Sequence, residues 1–131
     1  MREVITASKA PKAVGPYSTA VRQSVFVFLS GQIPLDPESG QLIEGSIEEQ
    51  TARVLDNIGL VLDGAGLTMA DVIKTTVFLK NMGDFPRMNE VYAKYFPKDP
   101  PARSTLEVAR LPRDVQVEIE AIAIDSRATR M

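Results

Sequence analysis

The chain has 131 residues, which suits one domain with a buried core and leaves little room for a second. It contains no cysteine and no histidine, which excludes disulfide bonds, thiolate nucleophiles, zinc–thiolate sites and histidine-based acid–base catalysis. The net charge of -2 provides no overall basic field to attract nucleic acid, and no run of lysine and arginine forms a local one. Any catalysis must therefore use the remaining polar side chains, backbone groups or water.

The N-terminal part of the chain predicts two strands separated by loops. Glu3–Thr6 reads as a short edge strand, whereas Lys9–Tyr17 contains two prolines and a glycine and predicts a loop. Gln23–Ser30 is rich in Val and Phe, which is typical of a buried strand. The glycines and prolines of Gly31–Gly45 predict a turn-rich connection, and no spaced Asp/Asn loop resembles a calcium site.

The first helix has clear signals at both ends. Ser46 followed three residues later by Glu49 forms a capping box, and apolar residues then recur at helical spacing. Gly64 and Gly66 end this helix. Val72–Lys80 follows, and its β-branched and aromatic residues predict a strand.

The C-terminal half predicts a second helix and two strands. The helix runs roughly over Asp84–Phe96, with Asp84 as its cap and Pro86 in the first turn, where a missing N–H is harmless. A proline-rich loop leads to strands at Ala102–Ala109 and Val115–Ile124.

This element order predicts an α+β fold in which one sheet carries two helices on one face. Alternation divides the last strand between two faces that both carry apolar residues: Val115, Val117, Ile119, Ala121 and Ala123 on one, and Gln116, Glu118, Glu120, Ile122 and Ile124 on the other. Two helices cover one face only. The second face packs on another subunit or is covered by loops, and the pattern does not choose between them. No apolar run is long enough to span a membrane, and a cytoplasmic location is expected.

Two charged residues on the predicted strands could carry chemistry. Arg103 can grip a carboxylate with two parallel hydrogen bonds, and Glu118, between apolar neighbours, can orient a water and take its proton. An arginine at the start of a strand is usually a solvated surface group or an ion-pair partner, and a glutamate within a strand is more often the polar half of an alternating pattern, so residue type alone does not assign a catalytic role to either. Tyr17 fits a pocket wall or an exposed turn, and Gly31 can let a backbone N–H approach a ligand.

Ordered motifs along nearly the whole chain resemble one known family. The chain is similar to the RidA family, also called YjgF/YER057c/UK114, of reactive-intermediate deaminases. The stretches that carry the resemblance are Ala13–Ser18, Ser30–Pro34, Asp71–Phe78, Pro101–Ser104, Glu107–Pro112 and Val117–Ala123.

The resemblance implies a chorismate-mutase-like α+β fold with one mixed sheet. It implies a single domain over residues 1–131, with a flexible C-terminal tail over about 125–131. It also implies a homotrimer whose sheets form a central barrel, with the active sites in the clefts between subunits.

The family's site residues match seven positions of this sequence. The resemblance implies that Arg103 binds the substrate carboxylate and that Glu118 places the attacking water. The other implied substrate-binding residues are Tyr17, Ser30, Gly31, Asn89 and the backbone N–H of Thr105. Some features depart from the family: position 105 is cysteine in many relatives, the loop before Arg103 is shorter than in many of them, and Pro100 replaces a residue that is often aromatic.

The implied activity is that of a 2-iminobutanoate/2-iminopropanoate deaminase without metal or cofactor. Such an enzyme hydrolyses imines released by PLP-dependent dehydratases to 2-keto acids and ammonia. One alternative is a protein that only binds small carboxylates or acts as a chaperone. Another is an RNA-directed translation inhibitor or endoribonuclease, against which the acidic balance and the lack of histidine argue.

Overall fold

The computed structural model describes residues 1–129. These residues form one six-stranded sheet with two α-helices, which confirms the predicted α+β class. The strands are β1 (Glu3–Ile5), β2 (Ala20–Gln23), β3 (Phe26–Gln32), β4 (Val72–Leu79), β5 (Ala102–Glu107) and β6 (Val117–Ile124), and the helices are α1 (Ile47–Gly64) and α2 (Phe85–Tyr95).

The sheet is mixed, with the strand order β1-β2-β3-β6-β4-β5. Every neighbouring pair is antiparallel except β4 and β5, which run parallel. In a parallel pair the strands need a long crossover, and here α2 lies within that crossover. β5 therefore forms one edge of the sheet, and this edge carries Arg103.

The strand predicted over Gln23–Ser30 is wrong in its extent. The chain turns back at Ser24, whose φ is 58°, so that Gln23 ends β2 and pairs with Phe26 at the start of β3. The usual sequence signal of such a hairpin is Asn-Gly or Asp-Gly, which is absent here. β3 in turn continues through Gly31 to Gln32, into the stretch that was predicted as a loop. At the C-terminal end, β5 is two residues shorter than predicted and β6 starts two residues later.

Both helices lie where the sequence predicts them. In α1 the capping box is formed: the backbone N–H of Glu49 donates to Ser46, and the N–H of Ser46 donates to the Glu49 carboxylate, both at 3.1 Å. Pro86 lies in the first turn of α2, as predicted. Asp84 occupies the N-cap position of α2, as predicted, but its side chain makes no capping hydrogen bond and instead pairs with Arg87.

The two faces of the sheet differ as the pattern of β6 predicts. Val117, Ile119, Ala121 and Ala123 are buried beneath the helices, and they form part of a continuous hydrophobic core. The opposite face, here called the open face, is lined by the alternate residues. It remains apolar, and the stacked rings of Phe26 and Phe28 on it are 40% and 42% exposed. Large apolar side chains at that exposure are typical of a surface that packs on another protein.

Ion pairs join the start of the expected tail to the domain. Asp125 is buried, and its carboxylate accepts hydrogen bonds from Arg22 at 2.7 Å and from Arg127 at 3.0 Å and 3.1 Å. Arg22 also donates to the carbonyl of Ala65 at the end of α1. Residues 130 and 131 lie outside the described residues, and the flexibility of the tail stays a prediction. No helix in residues 1–129 has the length and apolar character needed to cross a membrane.

Asp125→Asn tests the stability that these ion pairs provide. The bonds from Arg127 and Arg22 lower the pKa of Asp125 from 3.8 to about 2. The ionised form therefore stabilises the fold above pH 4, and this stability is lost as the pH falls from about 4 to about 2. We expect Asp125→Asn to unfold at a lower temperature at pH 7, and the difference from wild type to shrink over that window. Asp63→Asn, at an exposed site, is the control, and an equal loss there would contradict the assignment.

Candidate active site

Four of the seven predicted site residues meet in one cavity at the open face. Tyr17, Ser30, Gly31 and Glu118 line a cavity of about 550 Å³, together with Val14, Ile33, Pro112, Arg113 and Glu120. β3 and β6 are adjacent, which brings Gly31 beside Glu118. A Cβ at position 31 would lie 2.1 Å from Oε2 of Glu118, so glycine is required there for the carboxylate to occupy this position.

The Glu118 carboxylate is half-buried and forms no hydrogen bond or ion pair with any residue that the structure describes. Burial raises the pKa of Glu118 above 4.5, and the negative charge of Glu120 raises that pKa further. A carboxyl group with a raised pKa is a stronger base once ionised. Glu118 therefore has the properties of a group that can accept a proton from water.

Tyr17 and Ser30 differ in how freely their hydroxyl groups can meet a ligand. Tyr17 is half exposed, and its hydroxyl oxygen accepts only a long 3.4 Å bond from the backbone N–H of Val14. The Ser30 hydroxyl donates a 2.6 Å bond to the carbonyl of Ser18. Ser30 therefore fixes the loop that carries Tyr17, whereas Tyr17 keeps its own donor for a ligand.

Arg103 lines a second cavity, of about 480 Å³, on the helix side of the sheet. Its guanidinium lies over the rings of Tyr92 and Phe85, with Cζ 4.7 Å and 5.4 Å from the two centroids. No carboxylate in residues 1–129 forms an ion pair with it. A guanidinium carries its N–H donors in its plane, so stacking on rings leaves them available for a planar anion.

Asn89 and Thr105 accompany Arg103. Asn89 lines the same cavity, and its buried Oδ1 has no hydrogen-bond partner; the same is true of Oγ1 of Thr105. Because the N–H of Val108 donates to Leu79 of β4, the alternation of a parallel pair directs the N–H of Thr105 away from β4. That N–H therefore faces the free edge of the sheet, where a ligand can accept from it.

The structure divides the predicted site into two separate groups. Arg103 pairs with Thr75, which bonds to Tyr92 of α2 and so faces the helices. Glu118 alternates with buried neighbours and faces the open side. We call the two groups the arginine half (Arg103, Asn89, Thr105) and the glutamate half (Tyr17, Ser30, Gly31, Glu118). Opposite faces of a sheet prevent one small ligand from touching both halves of the same chain.

The sequence analysis missed four residues at these cavities. The ring of Tyr92 in α2 supports Arg103, and its spacing of three residues from Asn89 is the signal that could have found it. Phe85 contacts the same guanidinium. Glu120, two residues after Glu118, shares its face, as the alternation allows. Nothing in the sequence shows that Arg113, in a turn at φ 53°, lines the cavity of the glutamate half.

No group of three or more acidic side chains that could hold a metal ion occurs in the described part of the chain. The groups at the two cavities that can act on a ligand include the Arg103 cation, the Glu118 carboxylate, the Tyr17 phenol and free backbone N–H groups.

Comparisons with known proteins agree over nearly the whole chain. Residues 7–125 match the family model described as Endoribonuclease L-PSP. Human 2-iminobutanoate/2-iminopropanoate deaminase is 45% identical over 129 residues, which cover 98% of this chain and 94% of the human protein. A RutC family protein of Pyrococcus horikoshii is 54% identical over 123 residues, which cover 94% of this chain and 98% of that protein.

Among solved structures, E. coli TdcF with bound serine is 42% identical and superposes with a TM-score of 0.90, over 95% of this chain and 99% of TdcF. Fold, motifs and sequence identity therefore agree, and the chain belongs to the Endoribonuclease L-PSP family, the RidA/YjgF group that its motifs resemble.

Proposed function

We propose that this protein hydrolyses 2-imino acids, such as 2-iminobutanoate and 2-iminopropanoate, to 2-keto acids and ammonia. The observation that carries the proposal is the Arg103 guanidinium, which two aromatic rings hold and no carboxylate of residues 1–129 neutralises. A small carboxylate is the ligand that this arrangement fits. Support also comes from relatives that are named as deaminases of these imino acids and from the serine bound by TdcF, since serine is a small carboxylate.

We further propose that two copies of the chain complete each site within a homotrimer. The arginine half and the glutamate half face opposite sides of one sheet, so a ligand can meet both only between chains. The apolar open face, with Phe26 and Phe28, offers a surface on which copies can pack around a central barrel. Packing of this kind would cover the open face and bring the glutamate half of one chain to the edge strand β5 of another.

The proposed chemistry depends on position rather than on a strong catalyst. Arg103 and the N–H of Thr105 hold the substrate carboxylate, and Glu118 orients a water towards C2 of the imine. As the water oxygen bonds to C2, the C=N π electrons move to nitrogen, and Glu118 takes one proton from the water and passes it to that nitrogen. The resulting carbinolamine expels ammonia when its nitrogen is protonated and the hydroxyl proton leaves, which gives the keto acid. An imine carbon is already electrophilic, so orientation supplies the main contribution.

Two other functions make different predictions. A protein that only binds small carboxylates would use the same arginine half but would show no turnover of imines. The family description names an endoribonuclease, which favours RNA as a second candidate substrate. RNA cleavage by the pure protein, with binding that weakens as salt rises, would support that candidate.

Arg103→Ala tests the carboxylate contact. We expect kcat/KM for 2-iminopropanoate and 2-iminobutanoate, made in situ by a dehydratase acting on serine or threonine, to fall about 100-fold or more, because the imine loses its orientation. The variant should fold normally, as judged by its thermal unfolding. Arg110→Ala, at an exposed arginine that lines neither cavity, is the matched control. Turnover like that of wild type in Arg103→Ala would refute the assignment.

Mixing two inactive variants tests whether the site is shared. Arg103→Ala lacks the arginine half, and Glu118→Gln lacks the glutamate half. If each site joins two chains, random trimers from an equal mixture that was unfolded and refolded together should recover about one quarter of the wild-type activity. A site built within one chain would recover none. Trimers of either variant alone, refolded in the same way, provide the baseline.

The pH profile tests the proton-accepting role of Glu118. Ionised Glu118 is the active form, so kcat/KM should fall as the pH drops through its pKa, which burial and then Glu120 raise above 4.5. Glu120→Gln removes the repulsion, so the fall of kcat/KM at acidic pH, the acidic limb of the profile, should move to lower pH. The nearby positive charge of Arg113, which also lines the cavity, is present in both wild type and Glu120→Gln. Glu90→Gln, on the exposed side of α2, should leave the limb in place, and an unmoved limb in Glu120→Gln would contradict the role.

A further inference from the structure

Tyr92 contacts Arg103 and is held in place by two further residues. Its ring lies beneath the guanidinium, with 4.7 Å from Cζ to the centroid. Its hydroxyl shares a 2.6 Å hydrogen bond with Oγ1 of Thr75. Its other neighbour is the ring of Phe96, with 4.7 Å between centroids. An aliphatic residue that only filled the core could make neither the ring contact with the guanidinium nor the hydrogen bond to Thr75.

The three residues form a closed triangle. Thr75 pairs directly with Arg103 across β4 and β5, so both side chains leave the sheet side by side and on the same face. The hydroxyl of Thr75 then holds the far end of Tyr92, which covers Arg103. The position of the ring is therefore set by the same strand pair that positions the arginine.

From this triangle we propose that Tyr92, held by Thr75, is the positioning residue that orients the Arg103 guanidinium for a substrate carboxylate. The inference rests on the proposed function, because it assigns to Tyr92 the task of aiming the residue that grips the imino acid. It adds residues that the family resemblance did not supply.

The alternative way to hold an arginine is an acidic partner. A carboxylate would occupy the in-plane N–H donors and cancel the charge, and a substrate carboxylate would then have to displace it. A ring binds the face of the guanidinium and leaves its edge and its charge free. Tyr92 therefore restricts the orientation of Arg103 without competing with the ligand, and Phe85, at 5.4 Å, adds a second ring.

The test measures binding of 2-oxobutanoate, a stable keto acid product, by calorimetry, alongside turnover of the imine. Tyr92→Leu removes the ring, and we expect affinity to weaken about 10-fold. Tyr92→Phe keeps the ring and removes the bond to Thr75, and we expect a loss of about 3-fold; Thr75→Val should match it. Tyr92→Phe keeps the core filled, so the inference stays testable even if Tyr92→Leu fails to fold.

Two comparisons separate positioning from a general structural role. Tyr95→Leu and Tyr95→Phe change a tyrosine on the same helix that bonds to α1 instead, and both should bind like wild type. In an Arg103→Lys background, which lacks a planar cation to stack, Tyr92→Leu should change affinity less than about 2-fold. The same 10-fold loss in that background would show that Tyr92 does not act through Arg103.

The remaining outcomes distinguish the two proposals. Binding and turnover like those of wild type in Arg103→Lys and Arg103→Ala would overturn the proposed function, and this inference with it. A clear defect in the Arg103 variants, together with binding like that of wild type in both Tyr92→Leu and Tyr92→Phe, would overturn the inference alone.

Discussion

Side chains on a β-strand alternate between the two faces of the sheet, and this alternation governs how Arg103 and Glu118 can be used together. Arg103 points towards the helices, whereas Glu118 points to the open face. No rotamer change within one chain can reverse either direction, because the backbone register sets both. The proposed chemistry therefore requires two chains: one supplies the arginine half and the other supplies the glutamate half of each site.

Each half also carries a charge that nothing in the described part of the chain neutralises. On the glutamate half, half-burial opposes ionisation of Glu118, and the like charge of Glu120 adds to this effect. On the arginine half, the rings of Tyr92 and Phe85 stabilise the cation without an acid. A structural ion pair would compensate the charge of each residue, as the pair of Asp125 and Arg22 does elsewhere in the fold. Both charges are therefore available to a ligand.

The features that the sequence predicted well depend on neighbours within a few residues. The capping box of α1 joins Ser46 to Glu49, and the faces of β6 follow from strict alternation. The turn at Ser24 could not be predicted, because its strained φ is offset by pairing of β2 with β3 and by a bond from Asp125 to Val25, a hundred residues away. Helical spacing places Tyr92 beside Asn89 on α2, but the contact of Tyr92 with Arg103 depends on the parallel pairing of β5 with β4.

For the site residues, too, contacts between distant parts of the chain could not be predicted from the sequence. Motifs identified Gly31 and Glu118 separately, but that a Cβ at position 31 would collide with the Glu118 carboxylate depends on how β3 pairs with β6. Likewise, the division of the site into two halves follows from register, which a one-residue shift would reverse. A motif match therefore indicates which residues act, whereas the sheet determines which of them can act on one ligand.

The raised pKa of Glu118 is also relevant to how a chain without histidine can move a proton near neutral pH. An ordinary glutamate is a weak base, because its pKa lies far below the pH at which it works. Burial beside Gly31 and repulsion by Glu120 both raise that pKa, and the first effect is available only because position 31 lacks a side chain. In the proposed reaction, the glycine thus contributes by letting a carboxylate lie in a partly desolvated place. The strength of the base and the shape of the cavity then have the same structural origin.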